Sequence, residues 1–173
     1  MKRNLLTLVI GGVLIFIFVL LLFVFQVRQS EVVVVTRFGR VDREKSEPGA
    51  YVRWPWPIEH VYKLDQRIQN FQDKLTETIT LDSINLLTSV YVGWRITDAK
   101  TFFPKFKDGS VTVAERMLEE VVTQAKTAAV GKHRLGDFVN ENEKDLKFDE
   151  IETKIKALAQ AQLQANNWGV SIE

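Results

Sequence analysis

The stretch DSINLLTSVYVGWRITDAKTFF, residues 82–103, carries the clearest strand pattern in the chain. From Leu86 to Ile96 apolar and polar residues alternate, and successive side chains of a strand point to opposite faces of a sheet. The apolar face is predicted to consist of Val90, Val92, Trp94 and Ile96. Asp98 follows the strand and is suited to cap a short helical turn that contains Phe102 and Phe103.

The sequence before this strand is typical of further β-structure. Glu31–Phe38 reads EVVVVTRF, and its four successive β-branched residues favour a strand. The charged segment Arg40–Glu47 is predicted to be a solvated loop, and Pro48-Gly49 has the residues of a tight turn. Lys74–Leu81 alternates apolar and polar residues again.

After the central strand the apolar period becomes helical. Val113–Val130 is predicted to form one helix, in which the late position of Lys126 suits the helix dipole. A second helix is predicted from Phe148 to about Ala165. Four of its residues have the 3,4 spacing of a coiled-coil seam and are candidate subunit contacts: Phe148, Ile151, Ile155 and Leu158. The alternative is that this stripe packs on the domain's own sheet. Strands followed by helices predict an α+β domain.

The N-terminal 28 residues differ in composition from the rest. Leu5–Phe25 contains 21 residues without a charge, and a helix of that length spans about 30 Å, the thickness of a bilayer core. We therefore expect a membrane anchor that includes Leu5, Leu14, Phe18, Leu22 and Phe25. A buried soluble helix would show polar positions on one side, and a signal peptide would have a shorter apolar run and a small-residue cleavage site. Lys2 and Arg3 predict a cytoplasmic N-terminus, which places the domain on the periplasmic side in a bacterium.

The segment Trp54-Pro55-Trp56-Pro57 concentrates two indole rings in four residues. Tryptophan favours the headgroup region of a bilayer, because its ring is apolar and its N–H is polar. Trp54 and Trp56 are therefore candidate membrane-interface residues. The alternative interpretation is a hairpin edge whose tryptophans pack in the core.

Composition argues against several classes of function. The chain has 23 basic and 22 acidic residues, which excludes nucleic-acid binding that relies on a strongly basic field. It has no Cys, so disulfides, thiolate metal sites and a cysteine nucleophile are excluded. His60 and His133 lie in no metal-binding spacing, and no catalytic motif is present. We expect no catalytic residue, metal or cofactor, and a protein that is not an enzyme.

The order of these segments resembles the SPFH family (band 7, prohibitin homology), which includes stomatin, prohibitin, flotillin and the HflK/HflC pair. The resemblance rests on EVVVVTRFGRV, on EPGAYVRWPWPIEHVYKLDQRIQNF with its Pro-Gly turn and Asp65-x-Arg67, on the Arg95-Ile96-x-Asp98 motif and on WGVSIE at the end. The N-terminal apolar segment, KLDQRIQ and WRITD together are most similar to the HflK/HflC branch.

This resemblance implies a scaffold that oligomerises with an HflK-like paralogue at the membrane lipids and modulates an FtsH-type membrane AAA protease. It implies an anchor over residues 1–28, a mostly β, membrane-proximal subdomain over 29–82 and an α+β subdomain over 83–173. Family members continue past the Trp-Gly pair into a strand and a long helix, so we expect this chain to lack the C-terminal coiled-coil region. A lipid-microdomain organiser of the stomatin or flotillin kind is the alternative function, and a membrane peptidase is a weaker one.

Overall fold

The computed structural model describes the backbone of residues 2–173 and the side chains of residues 7–142 and 144–173. The chain divides into two compact units, of which the first extends to Asp65 and the second is Gln66–Glu173. The first unit contains α1 (Lys2–Phe23), β1 (Val24–Val27), β2 (Glu31–Arg37), β3 (Arg40–Lys45), β4 (Gly49–Val52) and β5 (Glu59–Asp65). The second contains β6 (Gln69–Gln72), β7 (Thr76–Ile79), β8 (Asn85–Thr88), β9 (Tyr91–Ile96), α2 (Ala99–Lys105), α3 (Val111–Val130), α4 (Phe148–Asn166) and β10 (Val170–Ile172).

In the first unit β2 is the central strand of an antiparallel sheet of order β3-β2-β5, and β1 pairs with β4 in a separate ribbon. All four consecutive valines of β2 are buried, which explains why a strand with no polar alternation forms here. Val27, Val33 and Val35 form one core cluster, against which Phe25 and Tyr51 pack. The predicted loop at Arg40–Glu47 is wrong over most of its length, because residues 40–45 form β3 and pair with β2.

Helix α1 covers the predicted anchor except for its last two residues. Leu14, Phe18 and Leu22 are exposed on it, and the side chain of Leu5 lies outside the described residues. Phe25 was predicted to belong to the anchor but lies in β1, where it pairs with Tyr51 of β4. Within the part of the chain whose side chains are described, no helix combines the length and apolar character that a membrane span requires.

In the second unit β9 lies between β10 and β6 in an antiparallel sheet, and β7 pairs with β8 in a hairpin. The predicted alternation is confirmed in β9, where Val92, Trp94 and Ile96 are buried and Tyr91 is exposed. The single predicted strand is however broken at Ser89 and Val90, since β8 and β9 pair with different partners.

The predicted subdomain boundary between residues 82 and 83 falls inside the turn of the β7–β8 hairpin. Residues 69–72 form β6, which pairs with β9. These two pairings place residues 69–79 in the second unit, and the division between the units lies at Asp65 and Gln66.

The Arg-Ile-x-Asp and Trp-Gly motifs meet at the start of α2. Asp98 caps this helix as predicted, since its carboxylate accepts from the N–H of Thr101 at 3.1 Å. Gly169 has a φ of +69°, and a Cβ there would lie 2.4 Å from the carbonyl oxygen of Asp98. The N–H of Asp98 donates to the oxygen of Gly169 at 3.0 Å. Only glycine fits this close approach, which positions β10 beside β9.

Candidate functional site

Beyond α1, the first unit presents three exposed Phe and Trp side chains, which we call the aromatic surface: Phe38, Trp54 and Trp56. Their exposed fractions are 77%, 55% and 74%. The N–H of Phe38 donates to the oxygen of Ile58 at 3.2 Å, so the β2–β3 turn is joined to the segment that follows Trp56. The tryptophans are therefore not core residues of the described unit, contrary to the alternative interpretation of the WPWP segment.

A buried carboxylate holds the aromatic surface in place. Glu59 is fully buried at the start of β5, and its Oε1 accepts from the guanidinium of Arg37 at 2.8 Å. Its Oε2 accepts from Arg43 of β3 and from the backbone N–H of Trp54, both at 2.9 Å. One side chain therefore joins β2, β3, β5 and the WPWP segment.

The charge state of Glu59 follows from these contacts. Burial raises the pKa of its carboxyl, but the hydrogen bonds from Arg37 and from the Trp54 N–H, with the attraction of Arg43, outweigh that effect. The pKa of Glu59 is consequently lower than usual, and the pKa of Arg37 is raised mainly by its hydrogen bond to Glu59. The carboxylate is ionised at neutral pH and keeps its three donors.

The aromatic surface adjoins the end of α1. The rings of Trp54 and Phe23 make an edge contact with their centroids 6.4 Å apart. The N–H of Arg53 donates to the carbonyl oxygen of Phe23 at 2.7 Å, so the chain before Trp54 is hydrogen-bonded to the last turn of the helix. Trp54 is thus held at the level where the apolar helix ends.

The predicted contact seam on α4 is divided by the structure. Ile151 is buried, Ile155 and Leu158 are half-buried and Phe148 is 54% exposed. The buried stripe of α4 is instead formed by Ile151, Ala159 and Leu163, since α4 packs mainly against α3. Ile151 is therefore a core residue, and its assignment as a free contact is wrong. Phe148, Ile155 and Leu158 retain surface for a partner.

A buried ion pair lies beneath the β7–β8 hairpin and was not recognised from the sequence. The Nζ of Lys126 on α3 donates to Asp73, and both side chains are almost completely buried. Lys126 also donates to the carbonyl oxygen of Thr88 at 3.0 Å, and Thr123 donates to Asp73 at 2.8 Å. Asp73 compensates the charge of Lys126 inside the second unit, a partner that the helix-dipole argument did not include. A signal was present in the sequence: Lys126 lies on the apolar stripe of α3, four residues after Val122.

Among the described residues no three His, Cys, Asp or Glu side chains come close enough to hold a metal ion. His133 is buried and its Nδ1 lies 3.3 Å from Asp137, whose carboxylate also pairs with Lys147 at 3.0 Å. These three side chains tie the segment between α3 and α4 together. The aromatic surface of the first unit and the partly exposed residues of α4 in the second unit are the two candidate interaction surfaces.

Comparison with known proteins identifies the family. The family described as "SPFH domain / Band 7 family" matches this chain over residues 25–173. The protein "Modulator of FtsH protease HflC" of Escherichia coli K12 is 29% identical over 140 residues, which cover 78% of this chain and 42% of that protein. "Protein HflC" of Vibrio cholerae is 28% identical over 139 residues, with 77% and 42% covered. "Protein HflC" of Haemophilus influenzae is 27% identical over 157 residues, with 83% and 52% covered. The chain thus spans about half the length of these relatives or less.

The family match includes both surfaces and nearly all of the described strands and helices outside α1. The predicted SPFH family and the similarity to HflC are confirmed, and the chain belongs to the SPFH domain / Band 7 family.

Proposed function

We propose that this chain is a membrane-anchored, non-catalytic scaffold subunit that assembles with an HflK-like paralogue and modulates an FtsH-type membrane AAA protease. The observation that carries the proposal is the family match over residues 25–173 together with relatives named as modulators of FtsH. The protein regulates proteolysis through assembly at the membrane, and the cleavage chemistry belongs to the protease.

The uncharged part of α1, residues 5–23, supports the anchor, since a helix of that length comes close to the thickness of a bilayer core. Lys2 and Arg3 keep the N-terminus in the cytoplasm, so both units after α1 lie on the periplasmic side of the inner membrane. In this orientation the first unit, which contains α1, adjoins the membrane.

The aromatic surface provides a second contact with the membrane. Trp54 packs on Phe23, so a bilayer that covers α1 reaches its headgroup region at Trp54. Tryptophan is enriched at that depth. Trp56 and Phe38 are also exposed and complete the aromatic surface. Glu59 makes this contact rigid, because it fixes the backbone of Trp54.

Brominated lipids test this contact in the full chain. Lipids brominated near the headgroup should quench the fluorescence of Trp54 and Trp56 more strongly than lipids brominated at the acyl-chain ends. Trp94, which is fully buried in the second unit, serves as the internal control: a variant that keeps only Trp94 should show little quenching. Equal quenching of the full chain and of the variant that keeps only Trp94 would contradict the proposed interface.

The subunit contact is assigned to the exposed and half-buried residues of α4. Phe148, Ile155 and Leu158 remain candidates, whereas Ile151 serves as a core control. An anchored subunit diffuses in two dimensions, so modest lateral contacts gain from a high effective concentration.

Co-expression with an HflK-like paralogue and an FtsH-type protease tests the assembly. F148D should reduce the size of the complex extracted in mild detergent and change the turnover of membrane substrates, while the isolated chain stays folded. I151D should unfold the second unit, because it buries an unpaired charge. An unchanged complex with F148D and L158D would refute this contact, and proteolysis by the purified chain alone would refute the non-catalytic role.

A further inference from the structure

One arginine of the first unit has no partner for its side chain among the described residues. Arg53 directly follows β4 and is half-buried. Its Nε is buried without a hydrogen-bond partner, and no carboxylate of the described residues pairs with its guanidinium. A cation that is partly removed from water and left unpaired is unfavourable. Binding of an anion at Arg53 would therefore lower the free energy of this position.

The neighbouring acidic side chains do not supply that anion. Glu59 accepts from Arg37 and Arg43, and Asp42 pairs with Arg37 at 3.7 Å. These two acidic and two basic side chains balance each other in charge. Arg53 lies in the same region, since Arg43 also donates to the backbone oxygen of the residue before it at 3.2 Å. Arg53 thus adds a positive charge that this network does not compensate.

The backbone of Arg53 lies at the end of the apolar helix. Its N–H donates to the carbonyl oxygen of Phe23, the last residue of α1, at 2.7 Å. The ring of the next residue, Trp54, contacts the ring of Phe23. In the proposed membrane anchor, on which this inference rests, the end of α1 reaches the lipid headgroups. The phosphate groups of the lipids supply anions at that depth.

We infer that Arg53 binds the phosphate group of a phospholipid headgroup. A guanidinium suits phosphate because its N–H groups form a planar fork that bonds two phosphate oxygens at once. The Nη atoms of Arg53 are the donors that a phosphate can reach, since the buried atom is Nε. The contact of Trp54 with Phe23 favours a lipid over a free phosphate ion, because one lipid then meets an apolar ring and a cation on adjacent residues.

Solid-state NMR of the full chain in phosphatidylcholine bilayers tests this contact directly. With ¹³C at the guanidinium carbon of every arginine, dephasing of the carbon signal by ³¹P identifies arginines that touch phosphate. The buffer contains no phosphate, so the lipid is the source of ³¹P. R53Q should remove the dephased signal of one arginine from the total. Arg3, which lies beside the opposite headgroups in the proposed orientation, contributes equally to all samples.

Arg28 provides the matched control. It is an exposed arginine of the same unit, but it follows the four residues of β1, which place it about 13 Å further along the strand from α1. R28Q should leave the dephased signal unchanged. R53K removes the same arginine as R53Q but keeps the charge, so it should lose the same signal even where glutamine disturbs the fold. Circular dichroism verifies that each variant is folded.

Inorganic phosphate separates the two sources of the anion. The full chain in dodecyl maltoside, a detergent without phosphorus, receives inorganic phosphate in the buffer. Arg53 should show much weaker dephasing in this sample than in the bilayer. Dephasing that depends on Arg53 in detergent but is absent in the bilayer would overturn the lipid assignment in favour of a free anion.

Equal dephased signals from the parent chain and from R53K in the bilayer would overturn the inference. So would equal losses in R53K and R28Q, which would indicate a general attraction of basic residues to the membrane surface. If headgroup-brominated lipids still quench Trp54 in either case, the membrane contact stands and the phosphate contact alone fails.

Discussion

Replacing Lys126 by methionine should destabilise the second unit strongly, although the two side chains have similar length. The change removes the charge that pairs with the buried Asp73 and withdraws a donor from the oxygen of Thr88. Removal of one partner of a buried ion pair costs about 3–5 kcal/mol, because the other charge stays buried without compensation. We expect K126M to lower the free energy of unfolding by that amount.

The matched double variant separates the ion pair from packing. D73L with K126M replaces both charges by apolar side chains, and such replacements are often neutral or better. We therefore expect the double variant to recover most of the loss, with a coupling energy of at least about 2 kcal/mol in the mutant cycle. K132M, at an exposed position just after α3, should change stability by less than about 0.5 kcal/mol.

Denaturant unfolding of the full chain in detergent, followed by circular dichroism and by Trp94 fluorescence, measures these values. A loss below about 1 kcal/mol for K126M would refute the reasoning from burial. A double variant less stable than both single variants would show that the pair contributes net stability beyond charge compensation.

Three further predictions concern Gly169 before β10, the buried carboxylate of Glu59 and the orientation of the chain in the membrane. G169A should lower stability by at least about 2 kcal/mol in the same assay, since its Cβ collides with the carbonyl of Asp98. The control G136A, where no atom lies within 4 Å of the new Cβ, should be nearly neutral. Equal losses of stability in the two variants would contradict the predicted collision. Because the pKa of Glu59 is lowered in the folded state, its ionised carboxylate should stabilise the fold above about pH 4.3, the ordinary pKa of a glutamate. This stabilisation should be lost as the pH falls through the folded-state pKa of Glu59. E59Q should reduce this acid-dependent loss, and an unchanged pH profile would exclude Glu59 as its source. S46C, exposed and unique in a Cys-free chain, should react with an impermeant maleimide once the outer membrane is opened, whereas reaction only after inner-membrane lysis would reverse the topology.

Local patterns were sufficient wherever one property of the chain dominated. The alternation around Trp94 predicted β9 and its buried face, because a strand with one buried face must place its apolar residues at every second position. The four valines of β2 predicted a strand, and the periods after Val113 predicted two helices. The order of these segments was sufficient to identify the family. The candidate membrane contact at Trp54 also came from composition alone.

Partner choice could not be inferred from local patterns. Whether Arg40–Lys45 is a loop or a strand depends on the free edge of β2, and a charged segment forms a strand there because Arg43 reaches Glu59. Lys126 has the sequence of a surface residue and is buried only because Asp73, 53 positions earlier, meets it. The seam on α4 was misassigned in part for the same reason.

The periodicity of α4 was correct, but periodicity states only that a helix has an apolar stripe. Which part of that stripe is covered depends on where α3 crosses it, so Ile151 became core and Phe148 stayed exposed. The alternating pattern of residues 74–81 has the same ambiguity, since the hairpin buries Thr78 and exposes Ile79. A sequence specifies which side chains share a face, whereas the direction of that face follows from long-range packing, whose partners are distant in the chain.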